Sequence, residues 1–253
     1  MKILASDLDG TLLFKDSKEK IKKTDLIKIK KFQEQGNLFG LCTGRAKHGV
    51  IYALEETDLK LDFMILNSGS TIIINEDNFI KNETMPRELI TTIDQITSKY
   101  NCSKMFVTKD GQFFINRKFE ANSVNKTIYS SNEIEAESFL MFAMNFPDLK
   151  ELNEVKTMLK KQFGDQIEVH QNVDNLDIAP KNCSKGNAIK ELQTYLKVNS
   201  QNIFVIGDSY NDISMFEVVQ NSFTFNNSPK EVKEKAKYHV NSVSECINLI
   251  LNK

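Results

Sequence analysis

The 253-residue sequence predicts an α/β fold in which a parallel-sheet core is interrupted by an inserted α+β domain. Towards both ends of the chain, short apolar runs alternate with helical patterns, as in β-α units that build a parallel sheet. The middle of the chain instead carries a hairpin signal, because Lys109-Asp110-Gly111 separates two strand-like runs. We expect a core formed by residues 1–82 and 181–253, and an inserted domain formed by residues 83–180.

The predicted core contains four short apolar runs, each followed by a polar cluster. The runs are residues 2–6, 37–42, 62–66 and 203–206. Helical patterns cover residues 24–35, 46–57 and 184–197, with Thr24 as a candidate N-cap and Gly36 as a stop signal. This alternation predicts buried strands joined by crossover helices, which would place the strand ends at one edge of the sheet.

The inserted part has a different pattern. We predict helices over residues 86–100 and 148–163, and strands over residues 104–108, 112–117, 138–145 and 166–171. The Asp-Gly pair suits the positive φ angles of a tight hairpin turn. A hairpin together with helices indicates a separate α+β unit.

The composition is that of an ordinary globular protein, with 40% apolar and 26% charged residues. The 33 basic and 34 acidic residues leave a net charge of −1, which gives no electrostatic reason to expect nucleic-acid binding. No apolar run is long enough to span a membrane, and the N-terminus does not resemble a secretion signal. The four cysteines form no C-x-x-C pair. We therefore expect a soluble, cytoplasmic protein with reduced thiols that binds neither nucleic acid nor membrane.

The polar clusters at the predicted strand ends contain residues suited to metal and phosphate chemistry. Carboxylates that are brought together repel one another, so their grouping requires a cation or shared protons. Oxygen ligands of this kind suit Mg²⁺, and a lysine and a threonine facing the ion would suit a phosphate. The clusters are Asp7 and Asp9, Thr43-Gly44-Arg45, Asn67-Ser68-Gly69-Ser70, and Asp208 with Asn211 and Asp212, and Lys185 opens a helix nearby.

Four segments resemble, in order, the four motifs of the haloacid dehalogenase superfamily of phosphohydrolases. Asp7-Leu8-Asp9-Gly10-Thr11-Leu12-Leu13 is similar to the first motif, and Leu41-Cys42-Thr43-Gly44-Arg45 to the second. Ser184-Lys185-Gly186-Asn187 is similar to the third, and Gly207-Asp208-Ser209-Tyr210-Asn211-Asp212 to the fourth in its Cof-type form. The resemblance implies a Rossmann-like core with an inserted α/β cap domain, the larger cap type of this branch.

The resemblance also implies a role for each motif residue. Asp7 would be the nucleophile that forms an aspartyl-phosphate. Asp9 would protonate the leaving oxygen and then activate water, which requires a pKa raised relative to that of Asp7. Mg²⁺ would bind the Asp7 carboxylate, the Asp9 backbone carbonyl and Asp208, and Asp212 would lie just outside, ordering Lys185 or water. The phosphoryl oxygens would contact the backbone of Leu8 and Gly44 and the side chains of Thr43, Lys185 and Asn211.

These residues indicate a Mg²⁺-dependent phosphatase acting on a small phosphorylated metabolite. Two alternatives remain open: a sugar phosphomutase of the same superfamily, and a non-catalytic phospho-acceptor or phosphate-binding module. The sequence does not identify the metabolite, the cap residues that select it, or the oligomeric state. It also leaves open the role of Ser68, because the branch usually has Asn-Gly-Ala after the third strand.

Overall fold

The computed structural model describes residues 1–14, 17, 19–75, 77–116 and 124–252. The strands, in chain order, are β1 (Ile3–Ser6), β2 (Leu38–Cys42), β3 (Phe63–Leu66), β4 (Thr71–Ile74), β5 (Asn78–Asn82), β6 (Met85–Pro86), β7 (Ser103–Val107), β8 (Gln112–Ile115), β9 (Asn125–Thr127), β10 (Ser138–Phe139), β11 (Met141–Asn145), β12 (Ile167–Asn172), β13 (Asn175–Pro180), β14 (Ile203–Ile206), β15 (Asn221–Phe225) and β16 (Tyr238–Val240). The helices are α1 (Lys23–Glu34), α2 (Lys47–Leu54), α3 (Arg87–Ile96), α4 (Leu149–Phe163), α5 (Lys185–Leu196), α6 (Ile213–Val218), α7 (Lys230–Lys235) and α8 (Val243–Leu251). Within these ranges, no helix has both the length and the apolar character needed to cross a membrane.

The chain divides into two compact units. One combines Met1–Lys81 with Lys185–Lys253, and the other is Asn82–Ser184. The first unit contains an eight-stranded sheet in the order β16-β15-β14-β1-β2-β3-β4-β5. Its strands are parallel from β16 to β3, and β4 runs antiparallel to β3. The predicted α/β class is confirmed.

Strand β1 lies at the centre of this sheet, with β2 on one side and β14 on the other. From β1 the chain adds strands outwards on one side as far as β5, and after the second unit it adds β14 to β16 on the other. The order therefore reverses between β1 and β14. In open α/β sheets, ligands bind outside the carboxyl ends of the strands at such a reversal.

The side chains of β1 explain why the predicted core strands are continuous apolar runs. Ile3 and Ala5 belong to the apolar layer that includes α5, α6 and α7, whereas Leu4 belongs to the opposite layer with α1, α2 and α8. Because successive strand residues point to opposite faces, a strand covered by helices on both sides must be apolar at every position.

The second unit has its own sheet and core. Its six-stranded sheet has the order β12-β13-β11-β7-β8-β9, and each pairing is antiparallel except that of β8 with β9. The predicted hairpin is formed by β7 and β8, and the backbone N–H of Thr108 donates to the carbonyl of Gly111 at 2.9 Å. Helices α3 and α4 contribute to a core in which the rings of Phe106 and Phe142 stack 4.6 Å apart.

Several elements differ from the sequence-based expectations. The strand predicted over residues 138–145 is broken at Leu140, because β10 pairs with β6 while β11 pairs with β7 and β13. Arg117, the predicted end of a hairpin strand, lies outside the described residues. Strands β4, β5, β6, β9 and β13, and all the elements after Asp212, were not predicted.

Candidate active site

The first site residue, Asp7, follows β1 directly at the centre of the sheet. Its backbone N–H donates to the carbonyl of Ile206, the last residue of β14, at 2.9 Å, and only 5% of the residue is exposed. The chain then turns sharply, because the carbonyl of Leu8 accepts hydrogen bonds from the backbone N–H groups of Thr11, Leu12 and Leu13. Gly10 has a φ angle of 82°, and a Cβ atom there would collide with the Asp208 carboxylate. This glycine allows the turn and the acidic side chain to come together.

Lys185, the first residue of α5, joins two of the predicted acidic residues. Its Nζ atom lies 2.6 Å from Oδ1 of Asp7 and 2.6 Å from Oδ1 of Asp212. The lysine side chain is 2% exposed. Burial alone would lower the pKa of Lys185, but Asp212 and Asp7 together raise it above its ordinary value. The lysine is therefore a buried, permanently charged ammonium group.

Asp212 organises the loop after β14. Its Oδ2 atom accepts hydrogen bonds from the backbone N–H groups of Asp208 at 2.9 Å and Ser209 at 3.0 Å. A Cβ atom at Gly207 would collide with the Asp212 side chain, so the loop can wrap this carboxylate only with glycine at that position. Both oxygens of Asp212 are thus engaged, one by Lys185 and one by the loop backbone.

Asp208 completes a group of three acidic residues. Carboxylate oxygens of Asp7, Asp208 and Asp212 lie within 4.8 Å of one another. The hydroxyl of Thr11 donates to Oδ1 of Asp208 at 2.6 Å, a contact that the sequence did not reveal. Nearby in the chain, the Oδ1 atom of Asn211 is buried and has no hydrogen-bond partner. The oxygens of the three carboxylates form the kind of donor set that fits a small divalent cation.

The electrostatics of the acidic triad, Asp7, Asp208 and Asp212, also favour a bound cation. Burial is the largest cause that raises the pKa of Asp7 to about 8; Lys185 opposes the shift, and Asp212 and Asp208 add to it. Burial likewise raises the pKa of Asp208 to about 6, and the hydrogen bond from Thr11 partly offsets this. A cation bound among these oxygens would favour their ionised forms.

The segment after β2 holds the second predicted motif. Thr43 is buried, and its backbone N–H donates to the carbonyl of Ile65 in β3 at 2.9 Å. The carbonyl of Thr43 accepts from the N–H of Ser68 at 3.2 Å. The preceding residue, Cys42, contacts the carbonyl of Lys185 with its sulfur at 4.0 Å. The ends of β2 and β3 are thereby tied together beside the start of α5, with Gly44 in the loop that leads to α2.

Asp9 has a different environment from the acidic triad. Its two carboxylate oxygens each accept a hydrogen bond from Arg45, from Nε and from Nη2, both at 2.6 Å. The pKa raised relative to Asp7 that we expected of Asp9 stays a prediction, and the structure shows the Asp9 carboxylate in an ion pair with Arg45. Sequence reasoning missed this pair, although Arg45 belongs to the polar cluster that follows β2.

With this geometry in place, comparison with known proteins identifies the family. A model of the haloacid dehalogenase-like hydrolases matches residues 4–247. The chain belongs to this family. Its features are those of the Cof-type branch, as the sequence motifs predicted. Similar proteins are named as phosphatases, and this haloacid dehalogenase-like hydrolase is accordingly a phosphatase.

Individual relatives cover nearly the whole hydrolase. A candidate phosphatase from Streptococcus pyogenes serotype M6 is 30% identical over 257 residues, which cover 94% of this chain and 92% of that protein. The Bacillus subtilis 5-amino-6-(5-phospho-D-ribitylamino)uracil phosphatase YwtE is 27% identical, with 97% of this chain and 94% of that protein covered.

Solved structures show the same fold. A haloacid dehalogenase-like hydrolase from B. subtilis matches with a TM-score of 0.86 at 20% identity, covering 99% of both chains. The subclass IIB sugar phosphatase BT4131 matches with a TM-score of 0.82 at 19% identity, covering 100% of this chain and 98% of that one.

Proposed function

We propose that this hydrolase is a Mg²⁺-dependent phosphatase that cleaves a small phosphorylated metabolite through an aspartyl-phosphate on Asp7. The observation that carries the proposal is the position of Asp7. It is a buried carboxylate at the reversal point of the sheet, 2.6 Å from the Lys185 ammonium and beside two further carboxylates. A buried carboxyl group in this setting has both the restricted position of a nucleophile and neighbours that can stabilise a phosphoryl group.

Phosphatases of this family generally use a metal ion, and the acidic triad is a suitable place for one. We propose that Mg²⁺ binds the carboxylates of Asp7 and Asp208 and the backbone carbonyl of Asp9. Asp212 stands outside this ligand set, because its oxygens already bind Lys185 and the loop backbone. When bound, the ion would supply positive charge that offsets the carboxylates and the phosphoryl oxygens.

In the first half of the reaction, an oxygen of Asp7 attacks phosphorus. A phosphorus–oxygen bond forms to Asp7, and the bond to the leaving oxygen breaks. The leaving oxygen receives a proton from Asp9 in its protonated form, which lowers the cost of releasing an alkoxide. In the second half, water attacks phosphorus, its proton passes to Asp9, and the electron pair of the broken bond returns to the Asp7 carboxylate.

Five groups are proposed to hold the phosphoryl oxygens during these steps. Lys185 supplies a charged donor, and its partner Asp212 keeps it in place. In phosphoryl transfer, positioning and charge stabilisation supply most of the rate enhancement. Fixed hydrogen-bond donors around the phosphoryl group are therefore central to the proposed catalysis. The five are the side chains of Lys185, Thr43 and Asn211 and the backbone N–H groups of Leu8 and Gly44.

We infer the class of substrate from the names of similar proteins. Their names include a phosphatase for 5-amino-6-(5-phospho-D-ribitylamino)uracil, an HMP-PP phosphatase and a sugar phosphatase. We propose a phosphate ester of comparable size, and we propose that the unit Asn82–Ser184 acts as the cap that selects it. A panel of phosphorylated metabolites, compared by kcat/KM, would identify the substrate.

The proposal is tested by phosphate release from p-nitrophenyl phosphate with and without Mg²⁺. We expect activity only with the ion, and loss of activity in Asp7→Asn. Asp25→Asn is the matched control, because Asp25 is also a buried aspartate of the first unit but lies on α1, where it accepts from the N–H of Ser244. Activity retained in Asp7→Asn would exclude Asp7 as the nucleophile.

Two further measurements test the alternatives. Phosphoryl transfer between positions of a sugar phosphate, without net phosphate release, would indicate a phosphomutase. A phosphoprotein that lasts for hours without turnover would indicate a phospho-acceptor module.

A further inference from the structure

The chain makes a left-handed turn directly after β3, at residues 67–69. The φ angles of Asn67, Ser68 and Gly69 are 51°, 54° and 98°, and all three residues are buried. Glycine adopts this conformation readily and asparagine visits it more often than most residues, whereas for serine it is unfavourable. Surrounding contacts must therefore hold Ser68 in this conformation. Strain of this kind is concentrated at functional sites, so the contacts of Ser68 indicate what the turn is for.

The turn donates two backbone hydrogen bonds to the segment that follows β2. The N–H of Ser68 donates to the carbonyl of Thr43 at 3.2 Å, and the N–H of Asn67 donates to the carbonyl of Arg45 at 3.0 Å. In addition, the N–H of Thr43 donates to the carbonyl of Ile65 in β3 at 2.9 Å. This short segment is therefore held along its backbone by β3 and by the left-handed turn.

The hydrogen bond from Ser68 determines the direction of the N–H of Gly44. The carbonyl of Thr43 and the N–H of Gly44 belong to the same peptide group, which is planar and trans. In a trans peptide group the C=O and N–H bonds point in opposite directions. Because Ser68 holds the carbonyl on the side of the turn, the N–H of Gly44 points away from the turn. Gly44 is partly exposed, so a ligand can reach it.

The same contacts orient the hydroxyl of Thr43. Its oxygen accepts from the N–H of Arg45 at 3.2 Å, and a hydroxyl group that accepts in this way still has its own proton to donate. The position of Arg45 is held in turn by the N–H of Asn67. The left-handed turn therefore supports both donors that the proposed function assigns to this segment, the hydroxyl of Thr43 and the N–H of Gly44.

We propose that Ser68 is a positioning residue whose left-handed backbone directs the N–H of Gly44 towards a phosphoryl oxygen of the substrate. The inference rests on the proposed function, which assigns this N–H to the phosphoryl group. Ser68 acts through its backbone N–H and takes no part in bond making or proton transfer. A donor that is already oriented needs no rearrangement when charge develops on the phosphoryl oxygens, which is why its direction affects the rate.

The test compares Ser68→Val with Ser68→Gly. Both variants lack the hydroxyl, but glycine adopts the left-handed conformation readily, whereas a β-branched residue strongly disfavours it. Valine should therefore turn the N–H of residue 68 away from the carbonyl of Thr43. The probe is orthovanadate, a phosphate analogue, measured as an inhibitor of p-nitrophenyl phosphate hydrolysis. In Ser68→Val we expect its inhibition constant to rise about tenfold or more, since loss of one such donor typically costs about 10²–10³-fold in kcat. Ser68→Gly should keep the inhibition constant close to that of the wild type.

Asn75→Val is the matched control. Asn75 follows β4, has a φ angle of 49°, and donates its N–H to the carbonyl of Asp62 at 3.1 Å, but it lies outside the proposed machinery. This variant should lose stability and keep the wild-type inhibition constant. The dissociation constant for Mg²⁺, measured by calorimetry, should stay at the wild-type value in Ser68→Val, because the proposed ligands follow β1 and β14.

A backbone variant tests the same hydrogen bond in case Ser68→Val does not fold. An ester in place of the amide of Ser68 removes the N–H donor and keeps the side chain. We expect this ester to raise the inhibition constant for orthovanadate as Ser68→Val does. A matching ester at Asn75 should leave the constant at the wild-type value.

The outcomes separate this inference from the proposed function. If the wild-type protein does not hydrolyse phosphate esters with Mg²⁺, the proposed function fails and the inference fails with it. If the wild type is active but Ser68→Val, or the ester at Ser68, binds orthovanadate like the wild type, only the role of Ser68 is wrong. Equal weakening in Ser68→Gly and Ser68→Val would also overturn it, because the hydroxyl would then be the group that matters. A dissociation constant for Mg²⁺ that rises together with the inhibition constant would overturn it as well, since that result indicates general damage to the site.

Discussion

Lys185 carries a single positive charge among three carboxylates. When Asp7, Asp208 and Asp212 are all ionised, the group has a net charge of 1 − 3 = −2. A buried cluster with uncompensated charge is costly, and protonation or a bound cation relieves the cost. A divalent ion would neutralise this charge, so the arrangement of these four side chains links metal binding to protonation.

The raised pKa values predict how metal binding depends on pH. Burial raises the pKa of Asp7 to about 8 and that of Asp208 to about 6, above the ordinary value of 3.8. Mg²⁺ must displace protons from both groups below these values, so its affinity should rise from pH 5.5 to pH 8 and then level off. The affinity for Mg²⁺ can rise by at most about tenfold per pH unit for each proton released. Calorimetric titration with Mg²⁺ at several pH values measures this, and an affinity that is flat across the range would contradict it.

The raised pKa values of Asp7 and Asp208 also determine how the free energy of unfolding changes with pH. After divalent ions are removed with a chelator, the folded protein binds more protons than the unfolded chain between pH 4 and pH 8 at these two groups. Their contribution to the free energy of unfolding is therefore present at low pH and is lost as the pH rises through the folded pKa values. The variant Asp7→Asn should lose less stability over this window, because one of the two titrating groups is removed.

Thr11 offers a way to perturb the cation site without removing a carboxylate. Its hydroxyl donates to Asp208 at 2.6 Å and is fully buried. Thr11→Val keeps the shape but loses this hydrogen bond, which orients Asp208 and stabilises its charged form. We predict that the dissociation constant for Mg²⁺ rises about tenfold, as when other groups that orient metal ligands are removed.

The control for Thr11→Val is Thr97→Val. Thr97 is equally buried, but its hydroxyl donates to the carbonyl of Ile93 in the second unit. This variant should lose stability without changing Mg²⁺ affinity. If both variants bind Mg²⁺ like the wild type, Thr11 does not help to organise the site.

At the residue scale, the sequence predicted which groups meet but not how they pair. Apolar strands that end at polar clusters implied that Asp7, Thr43 and Asp208 lie at one sheet edge, because parallel strands share that edge. The partner of Asp9 could not be predicted in this way. Arg45 is 36 residues away, and its side chain also donates to the carbonyl of Gly49, a contact that no sequence pattern indicates.

At the scale of elements, the predictable strands were those buried on both faces. β1, β2, β3 and β14 are short apolar runs that need no partner to be recognised. β13 has mixed apolar and polar residues, and it becomes a strand through its pairing with β11 and β12. Non-local pairing of this kind leaves a weak local pattern.

Helix α5 begins at Lys185 and ends in a strained turn. Lys197 has a φ angle of 52°, and the N–H of Val198 donates to the carbonyl of Gln193 at 3.3 Å. This is the Schellman arrangement, in which glycine is the preferred residue at the left-handed position. The side chain of Lys197 is exposed. We therefore predict that Lys197→Gly raises the free energy of unfolding by roughly 0.5–1 kcal/mol, because the left-handed strain is relieved.

Lys190→Gly is the matched control on the same helix. Lys190 is also exposed but lies in the helix interior, where glycine costs about 1 kcal/mol. Urea unfolding of both variants should therefore show changes of opposite sign. Destabilisation by Lys197→Gly would mean that the lysine side chain contributes more than the backbone strain costs.

At the scale of the whole molecule, the chain contains two separate apolar cores. The first unit is assembled from both ends of the chain, while the second is the continuous segment Asn82–Ser184. The second unit has its own six-stranded sheet and a core that includes α3 and α4. The proposed chemistry uses none of its residues, and the role that we propose for this unit is the selection of substrate.

This organisation predicts that residues 82–184 fold on their own. A continuous segment with its own sheet and core should show one cooperative urea transition by circular dichroism and no phosphatase activity. Phe142→Ala should abolish or severely weaken that transition. Phe142 is fully buried against Phe106, and removing a buried phenyl ring typically costs about 3–5 kcal/mol. Exchange of Phe113, which is only partly buried, for leucine should have a much smaller effect. An isolated segment that unfolds without cooperativity would show that the second unit depends on the first for its stability, and substrate selection would then have to be studied in the full chain.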